Sequence, residues 1–328
     1  KKQQNMMFMR ECCKLLHSSH KQILNSIQGS RSIKRWVSPT LKELKKRKDK
    51  MGPEPIPRRS TFTDWNYQAE LYAFSKRLNE DFNLSLLQQA FTQRSYIIQE
   101  EMKQAEVGVE KPTINLQDNT LLVKAGEEII SEYVEKFLLQ SLPKLPKEGI
   151  KAIKDYLISE DVLANVSSHL GTNDIILSEE YPVETSTLSD TLKAIVGALD
   201  ESSGTFRAYE FVRDFICTQL NGIDVNELWQ IDDPIQMLKE MYKDKGDIEP
   251  RLIGESAPQT ILATFHVGIY LNKKLLGTGF GENVQIAHVL AARDALRIRF
   301  ETTENMKPFN FAIPVSDEVE NKIEKKNL

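Results

Sequence analysis

The chain has 328 residues, 40% of them apolar and 27% charged, enough for about two domains of roughly 150 residues plus appendages; its longest apolar runs are far too short to span a membrane. The net charge of −4 conceals a division, because residues 1–60 hold 16 Lys and Arg against 4 Asp and Glu, a net of +12 that leaves −16 on the rest. A basic arm on an acidic body points the arm toward a polyanionic partner. Cys12, Cys13 and Cys217 give neither zinc spacing nor a disulfide framework, which suits a reducing compartment or the mitochondrial matrix better than secretion. His17, His20, His169, His266 and His288 do not cluster with Cys or carboxylates, so no metal and no other cofactor is expected.

From Met9 to about Arg35, Arg, Lys, Ser and His surround a single acid, Glu11. That is the composition of a mitochondrial presequence, and residues 1–35 are expected to be one. Residues 36–63 form a basic arm and linker. Lys42, Lys45, Lys46, Arg47, Lys48 and Lys50 crowd into one stretch. A solvated linker helix would account for them, but their density beside Trp36 favours contact with RNA phosphates. Arg31, Lys34, Arg35, Arg58 and Arg59 extend the expected RNA-binding set. Pro53, Pro55 and Pro57 exclude a helix interior and predict a stiff, extended linker.

Asp64 is placed to cap a helix whose apolar positions are Tyr67, Leu71, Phe74, Leu78 and Phe82. A short helix over 83–92 would turn Leu84, Leu87 and Phe91 inward. The stretch Ala90-Phe91-Thr92-Gln93-Arg94-Ser95-Tyr96 follows. A long helix opens at Asn119 and runs through Ile129, Ile130, Tyr133, Phe137 and Leu138; the last aromatics lie on its stripe and belong to the core. Helices are predicted over 147–157, 159–170, 186–202 and 205–220, with His169 as a capping or surface residue. In the third of these, Leu188, Leu192, Ile195, Val196 and Leu199 share one face and Gly204 supplies the stop. Asp190 and Lys193, three residues apart, are surface neighbours on it. No strand pattern interrupts 64–220, so the region is expected to be all-helical.

Three segments of this region resemble the motifs of ribonuclease III. The family's Ala-Leu-Thr-His-x-Ser-Tyr appears as residues 90–96, with Gln93 in place of the His. Its Asn-Glu-x-Leu-Glu-x-x-Gly-Asp appears as residues 119–127, with Asn119, Leu122 and Gly126 kept. Its Ala-Asp-x-x-Glu-Ala-Leu-x-Gly-Ala appears as residues 189–198, with Asp190 and Gly197 kept. The resemblance implies that the matched acids hold catalytic magnesium in the family. Here the positions read Thr120, Val123, Glu127, Asp190 and Lys193, of which only Glu127 and Asp190 are carboxylates. An ammonium repels a hard cation, so the resemblance implies this fold without its chemistry: no catalytic residue and no metal.

Asn221 to Asp232 reads as a linker, and Pro234 suits a first helical turn with Met237, Leu238 and Met241 on one face. A short strand at Arg251-Leu252-Ile253 precedes one over 262–271, with Phe265, Val267, Ile269 and Leu271 on one side. Asn272-Lys273 is a two-residue turn, and a strand over 274–280 returns. Gly277, Gly279 and Gly281 permit close backbone approach. A helix over 284–300 turns Val284, Ala287, Ala291, Ala295 and Ile298 inward. This α-β-β-β-α order resembles a double-stranded-RNA-binding domain. The family's Gly-x-Gly-x-Ser-Lys-Lys-x-Ala-x-x-x-Ala-Ala matches at Gly279, Gly281, Ala287, Ala291 and Ala292, but its lysine pair is Val284 and Gln285. Its Gly-Pro-x-His loop corresponds to residues 257–261 and lacks the His. Lys273 and Lys274 join the expected RNA-binding residues.

The expected fold is α+β: a ribonuclease III-like helical domain over 64–222, a double-stranded-RNA-binding-like domain over 233–300 and an extended tail over 301–328. With the presequence-like start, Trp65-Asn66-Tyr67 and Lys307-Pro308-Phe309-Asn310-Phe311, the whole is similar to a family of mitochondrial large-subunit ribosomal proteins. The resemblance implies a structural, non-enzymatic component of the mitochondrial ribosome in the matrix. Its partners would be large-subunit rRNA, other mitochondrial ribosomal proteins and a related ribonuclease III-like protein. Two other readings compete. One is an active mitochondrial RNA-processing endonuclease that enlists Glu128 or Glu132; the other is a free RNA-binding regulator.

Overall fold

The structure is a computed structural model that describes residues 39–52, 57–108, 114, 116–257, 259–303, 306 and 308–311. The presequence-like segment, Arg31, Lys34, Arg35 and Trp36, the linker prolines Pro53 and Pro55, and the charged end over 315–328 lie outside the described residues. The chain divides into two units, 1–57 and 58–328.

In the first unit, α1 (Pro39–Met51) buries none of its residues. Its three large apolar residues, Leu41, Leu44 and Met51, are all exposed, and Pro39 at the start sits in the first turn, where an N–H would have no intrahelical partner.

In the second unit the order is α2 (Tyr67–Leu78), α3 (Leu84–Phe91), α4 (Arg94–Glu106), α5 (Thr120–Ser141), α6 (Lys147–Ile158), α7 (Glu160–His169), α8 (Thr185–Ser203), α9 (Thr205–Phe215), the single turn α10 (Val225–Leu228) and α11 (Pro234–Tyr242). Then come β1 (Ile248–Ser256), β2 (Thr264–Leu271), β3 (Lys274–Gly281) and α12 (Val284–Phe300). The chain is thus mostly helical, with a small antiparallel sheet ordered β1-β2-β3 near its end.

Helices α5 and α8 form the centre of the helical half. Tyr133 and Phe137 stack in the core as their stripe requires, Tyr133 also against Tyr209 at 5.1 Å. Ten residues of α8 are buried, from Leu188 to Leu199, so this helix is covered on nearly all sides. The two helices approach backbone to backbone at Gly126 and Gly197. A Cβ on Gly126 would overlap the Lys193 carbonyl oxygen, and one on Gly197 would overlap the Leu122 carbonyl oxygen. Ala90, Leu122, Ala194 and Ala198 form the small-residue cluster beside this crossing, with Val123 packed on it.

Several local expectations are corrected. Asn66, not Asp64, caps α2: its side chain accepts from the Ala69 N–H at 3.3 Å. The helix stops at Leu78 because Asn79 adopts a left-handed φ of 56°, so Phe82 reaches the core from the following loop. Leu84, at the first helical position of α3, is exposed while Leu87 and Phe91 are buried. The motif at 93–96 opens α4, a helix with no buried residue and hence no apolar stripe to announce it. The helical half carries its expected helices, and an isolated parallel bridge between Thr92 and Leu177 joins two of its loops. The helix expected over 205–220 ends at Phe215 and continues as a 3-10 turn, Cys217–Leu220. The Cys217 thiol is buried there, and burial pushes its pKa up to about 12, which makes it an inert core group.

In the second half, Asp233 caps α11 and Pro234 occupies its first turn. Pro234 and Leu238 are buried, while Met241 points to solvent. Strand β1 is longer than expected because nearly all of it is exposed at the sheet edge and shows no apolar alternation; a bulge between Leu252 and Gly254 interrupts its pairing. Val267 and Ile269 face inward on β2. Asn272 and Lys273 both take positive φ, 49° and 67°, as a two-residue hairpin turn requires. Gly277, Gly279 and Gly281 lie directly against Ala295, Ala291 and Ala287 of α12, so that a Cβ on Gly281 would sit 2.6 Å from the Ala287 nitrogen. The inward face of α12 is Ala287, Ala291, Ala292, Ala295, Leu296 and Phe300, whereas Val284 and Ile298 are exposed. The face is wider and rotated because α12 packs on the sheet, on α11 and on Trp229 together, the last through Phe300 at 5.9 Å. Beyond α12, Phe311 returns to stack on Phe137 at 5.5 Å, which ties the tail to the helical half.

Candidate functional site

Of the five positions matched to the family's metal-holding acids, Glu127, Asp190 and Lys193 lie together. Glu127, two turns into α5, and Asp190, near the start of α8, both face Lys193. The Lys193 ammonium is 3.9 Å from Glu127 Oε2 and 3.7 Å from Asp190 Oδ1. Its side chain is only 13% exposed, so the amine is held in this position by the packing of α5 on α8. Burial pushes the Asp190 carboxyl above its ordinary value, and Lys193 pulls it back. Thr120 donates to Asp118 Oδ2 at 2.9 Å, and Val123 is drawn into the alanine cluster. The donor set does not fit magnesium. A hard dication needs converging oxygen ligands, and here a fixed cation stands between the two acids. Among the described residues no group of three or more His, Cys, Asp and Glu converges as a metal site would.

Of the two further acids considered for a rearranged set, Glu128 is exposed and Glu132 is engaged elsewhere. Glu132 binds Lys136 at 2.8 Å, and that hydrogen bond lowers its carboxyl below the ordinary value. Gln93, which replaces the family's His, donates to the Thr191 hydroxyl at 3.3 Å and so links the first motif to the third. His169 bonds to the Asn165 carbonyl at 2.7 Å at the exposed end of α7, in the capping position expected of it.

The expected RNA-binding residues fall in separate places. Lys42, Lys45, Lys46, Arg47, Lys48 and Lys50 are all exposed on α1, where Lys46 pairs with Glu43 at 2.8 Å. Arg58 and Arg59 are instead built into the second unit. Arg58 donates to the Ser178 and Glu179 carbonyls at 3.0 and 2.6 Å and lies over Tyr181. Arg59 binds Glu70 at 3.0 Å and lies over Trp65. Nothing local in the sequence signals these contacts, since Arg58 and Ser178 are 120 residues apart. Lys273 and Lys274 are exposed at the β2–β3 turn.

At the start of α12, Val284 and Gln285 are exposed where the related domains carry a lysine pair. The first turn therefore offers N–H groups but no cation to a phosphate. Replacing both by lysine should raise affinity for an RNA duplex and steepen its salt dependence, by about 0.7–0.9 in the log–log slope for each phosphate that a new lysine neutralises. Anisotropy titrations of the full chain with a labelled duplex between 50 and 200 mM KCl measure this; an unchanged slope would rule out α12 as a latent duplex-binding helix.

Comparisons with known proteins identify the family. Residues 66–199 match the family model described as large ribosomal subunit protein mL44, endonuclease domain, and residues 229–328 match the MRPL44 dsRNA-binding domain. The large ribosomal subunit protein mL44 of Caenorhabditis elegans is 31% identical over 281 residues, covering 83% of this chain and 69% of its own length. Ribonuclease 3 of Enterococcus faecalis is 30% identical, covering 66% of this chain and 90% of its own. The nuclease domain of ribonuclease III from Campylobacter jejuni aligns with a TM-score of 0.38 at 21% identity, over 47% of this chain and 97% of that one. The chain belongs to the mL44 family of large ribosomal subunit proteins.

Proposed function

We propose that the chain is a structural, non-enzymatic component of the mitochondrial large ribosomal subunit. Its helical region over 64–222 keeps the ribonuclease III-like frame, and the region over 233–300 adds a double-stranded-RNA-binding-like module. The observation that carries the non-catalytic reading is Lys193 between Glu127 and Asp190. Phosphodiester cleavage by this kind of fold depends on a metal to activate the nucleophile and stabilise developing charge, and the ammonium holds that place.

The partners are rRNA and ribosomal proteins. The finer assignment is large-subunit rRNA, bound in the matrix through the basic segment and its helix α1. Exposed Ile98 and Met102 on α4 and Leu121 on α5 support a further helical protein, such as a related ribonuclease III-like chain, as one neighbour. No described helix is long and apolar enough to cross a membrane.

The test is an incubation of the purified chain with long double-stranded RNA and magnesium. No metal-dependent cleavage is expected. Cleavage that requires magnesium and disappears in Asp190→Ala would overturn the reading.

A further inference from the structure

A cavity of about 220 Å³ opens where the chain leaves the helical half, between the turn α10, the residues after it and the C-terminal half of α12. Trp229 and Phe300 form its apolar wall, and Arg293 and Arg297 stand over it from α12. Its rim is pinned: Asn226 donates to the Thr302 carbonyl at 2.7 Å and accepts from the Thr302 hydroxyl at 3.0 Å. These bonds hold α10 against the end of α12.

The two arginines are the unusual feature. They are four residues apart on one helix face, where like charges repel. Neither guanidinium has a hydrogen bond or an ion-pair partner among the described residues, although the chain beyond residue 60 carries a net −16. Glu227 is the acid that lines the cavity, and it pairs with neither arginine. Many other arginines on this body are paired: Arg207 grips Glu80 and Glu210, Arg213 grips Asp214, and Arg251 grips Glu249; Arg299 is exposed and, unlike Arg293 and Arg297, does not line the cavity. Two unneutralised planar forks converging beside an indole suit an anion with several acceptor oxygens and an adjoining flat group.

We propose that this cavity is an RNA-binding site in which Arg293 and Arg297 hold backbone phosphate while Trp229 supports an adjoining base or ribose. The proposal rests on the ribosomal reading for its choice of polyanion. It also accounts for a module whose first helical turn has Val284 and Gln285 instead of cations: phosphate binding moves from the N-terminal turn of α12 to the other end of the same helix. Phosphate held by paired arginines acquires bidentate geometry as well as charge. The pinned rim means that little order has to be imposed on binding.

The experiment uses the purified full chain and a fluorescein-labelled RNA hairpin with a single-stranded arm, titrated by anisotropy between 50 and 200 mM KCl. Arg293→Gln with Arg297→Gln should lower the log–log salt slope by about 1.5, as expected when two phosphates are no longer neutralised. Thermal unfolding should be unchanged or slightly improved, because a like-charge pair is removed. Arg293→Lys with Arg297→Lys keeps the charge but not the fork, and should keep most of the slope with a weaker affinity. A double-Gln variant that folds normally and binds with the parent's slope and affinity overturns the proposal. So does a double-Gln variant that loses affinity for a labelled polyglutamate of matching charge as much as for the hairpin, which would make the cavity an acidic-peptide site. Failure of the ribosomal reading is distinguishable. A parent chain that does not sediment with ribosomal particles, yet loses slope in the double-Gln variant, keeps this site and sinks that reading.

Discussion

Gly197→Ala should destabilise the second unit by about 3 kcal/mol or more, with Gly126→Ala comparable, although both add a single methyl. Overpacking of a core costs roughly 1–3 kcal/mol where side chains can give way. Here the obstacle on each side is a main-chain carbonyl, Leu122 for Gly197 and Lys193 for Gly126. A helix backbone cannot rotate out of the way, so α5 and α8 must move apart and loosen the alanine cluster beside them. For a unit of this size such a loss lowers the melting temperature by about 6–12 °C. The pair should be less than additive, because both substitutions wedge open the same crossing. Thermal unfolding followed by circular dichroism measures it. A shift under about 2 °C in either variant would show that the helices can separate at little cost, and the close crossing would lose its assigned role. The crossing also fixes Lys193 against Glu127 and Asp190, so the same packing that stabilises the fold holds the cation beside the two acids.

Neutralising Lys45, Lys46, Arg47 and Lys48 together to Gln should have the largest effect on RNA binding and almost none on folding. None of the α1 side chains is buried, and Gln is close to Lys and Arg in helix propensity. The melting temperature of the second unit should stay put. Four neutralised phosphates contribute about 3 to the log–log salt slope, so roughly a hundredfold of affinity change between 50 and 200 mM salt should vanish with them. Incorporation into the large subunit should fall in parallel, most visibly at raised salt. Normal incorporation of the variant at raised salt would leave α1 as a solvated linker helix and refute its anchoring role.

What the sequence discloses follows from where burial leaves a pattern. Helices α5 and α8 are legible because each presents an apolar stripe to a core, and α12 is bounded correctly at both ends. Its inward face is misplaced, because Ala292 and Leu296 are buried by neighbours from outside the sheet that no local periodicity encodes. Helix α4 and the outer part of β1 bury almost nothing, so they leave no periodic mark. Asp64 and Asn66 are chemically equivalent caps, and the choice between them depends on the path of the preceding chain. At the site, the Asp190–Lys193 neighbourhood follows from helical spacing alone, and Glu127 from its motif. That the amine is nearly buried between them depends on the glycine crossing, a tertiary fact. The unpaired state of Arg293 and Arg297 is equally invisible in the sequence, where they are ordinary charges on a helix.

The central claim is that a ribonuclease III-like body has become a ribosomal structural part, and the native protein's sedimentation tests it most directly. Mitochondria of the source organism would be lysed at physiological salt with magnesium and resolved on a sucrose gradient, with the chain followed by antibody. We expect it to travel with the large-subunit peak and to shift with that peak when subunits join into whole ribosomes. A chain found mainly at the top of the gradient, free of particles at the same salt, would contradict the account.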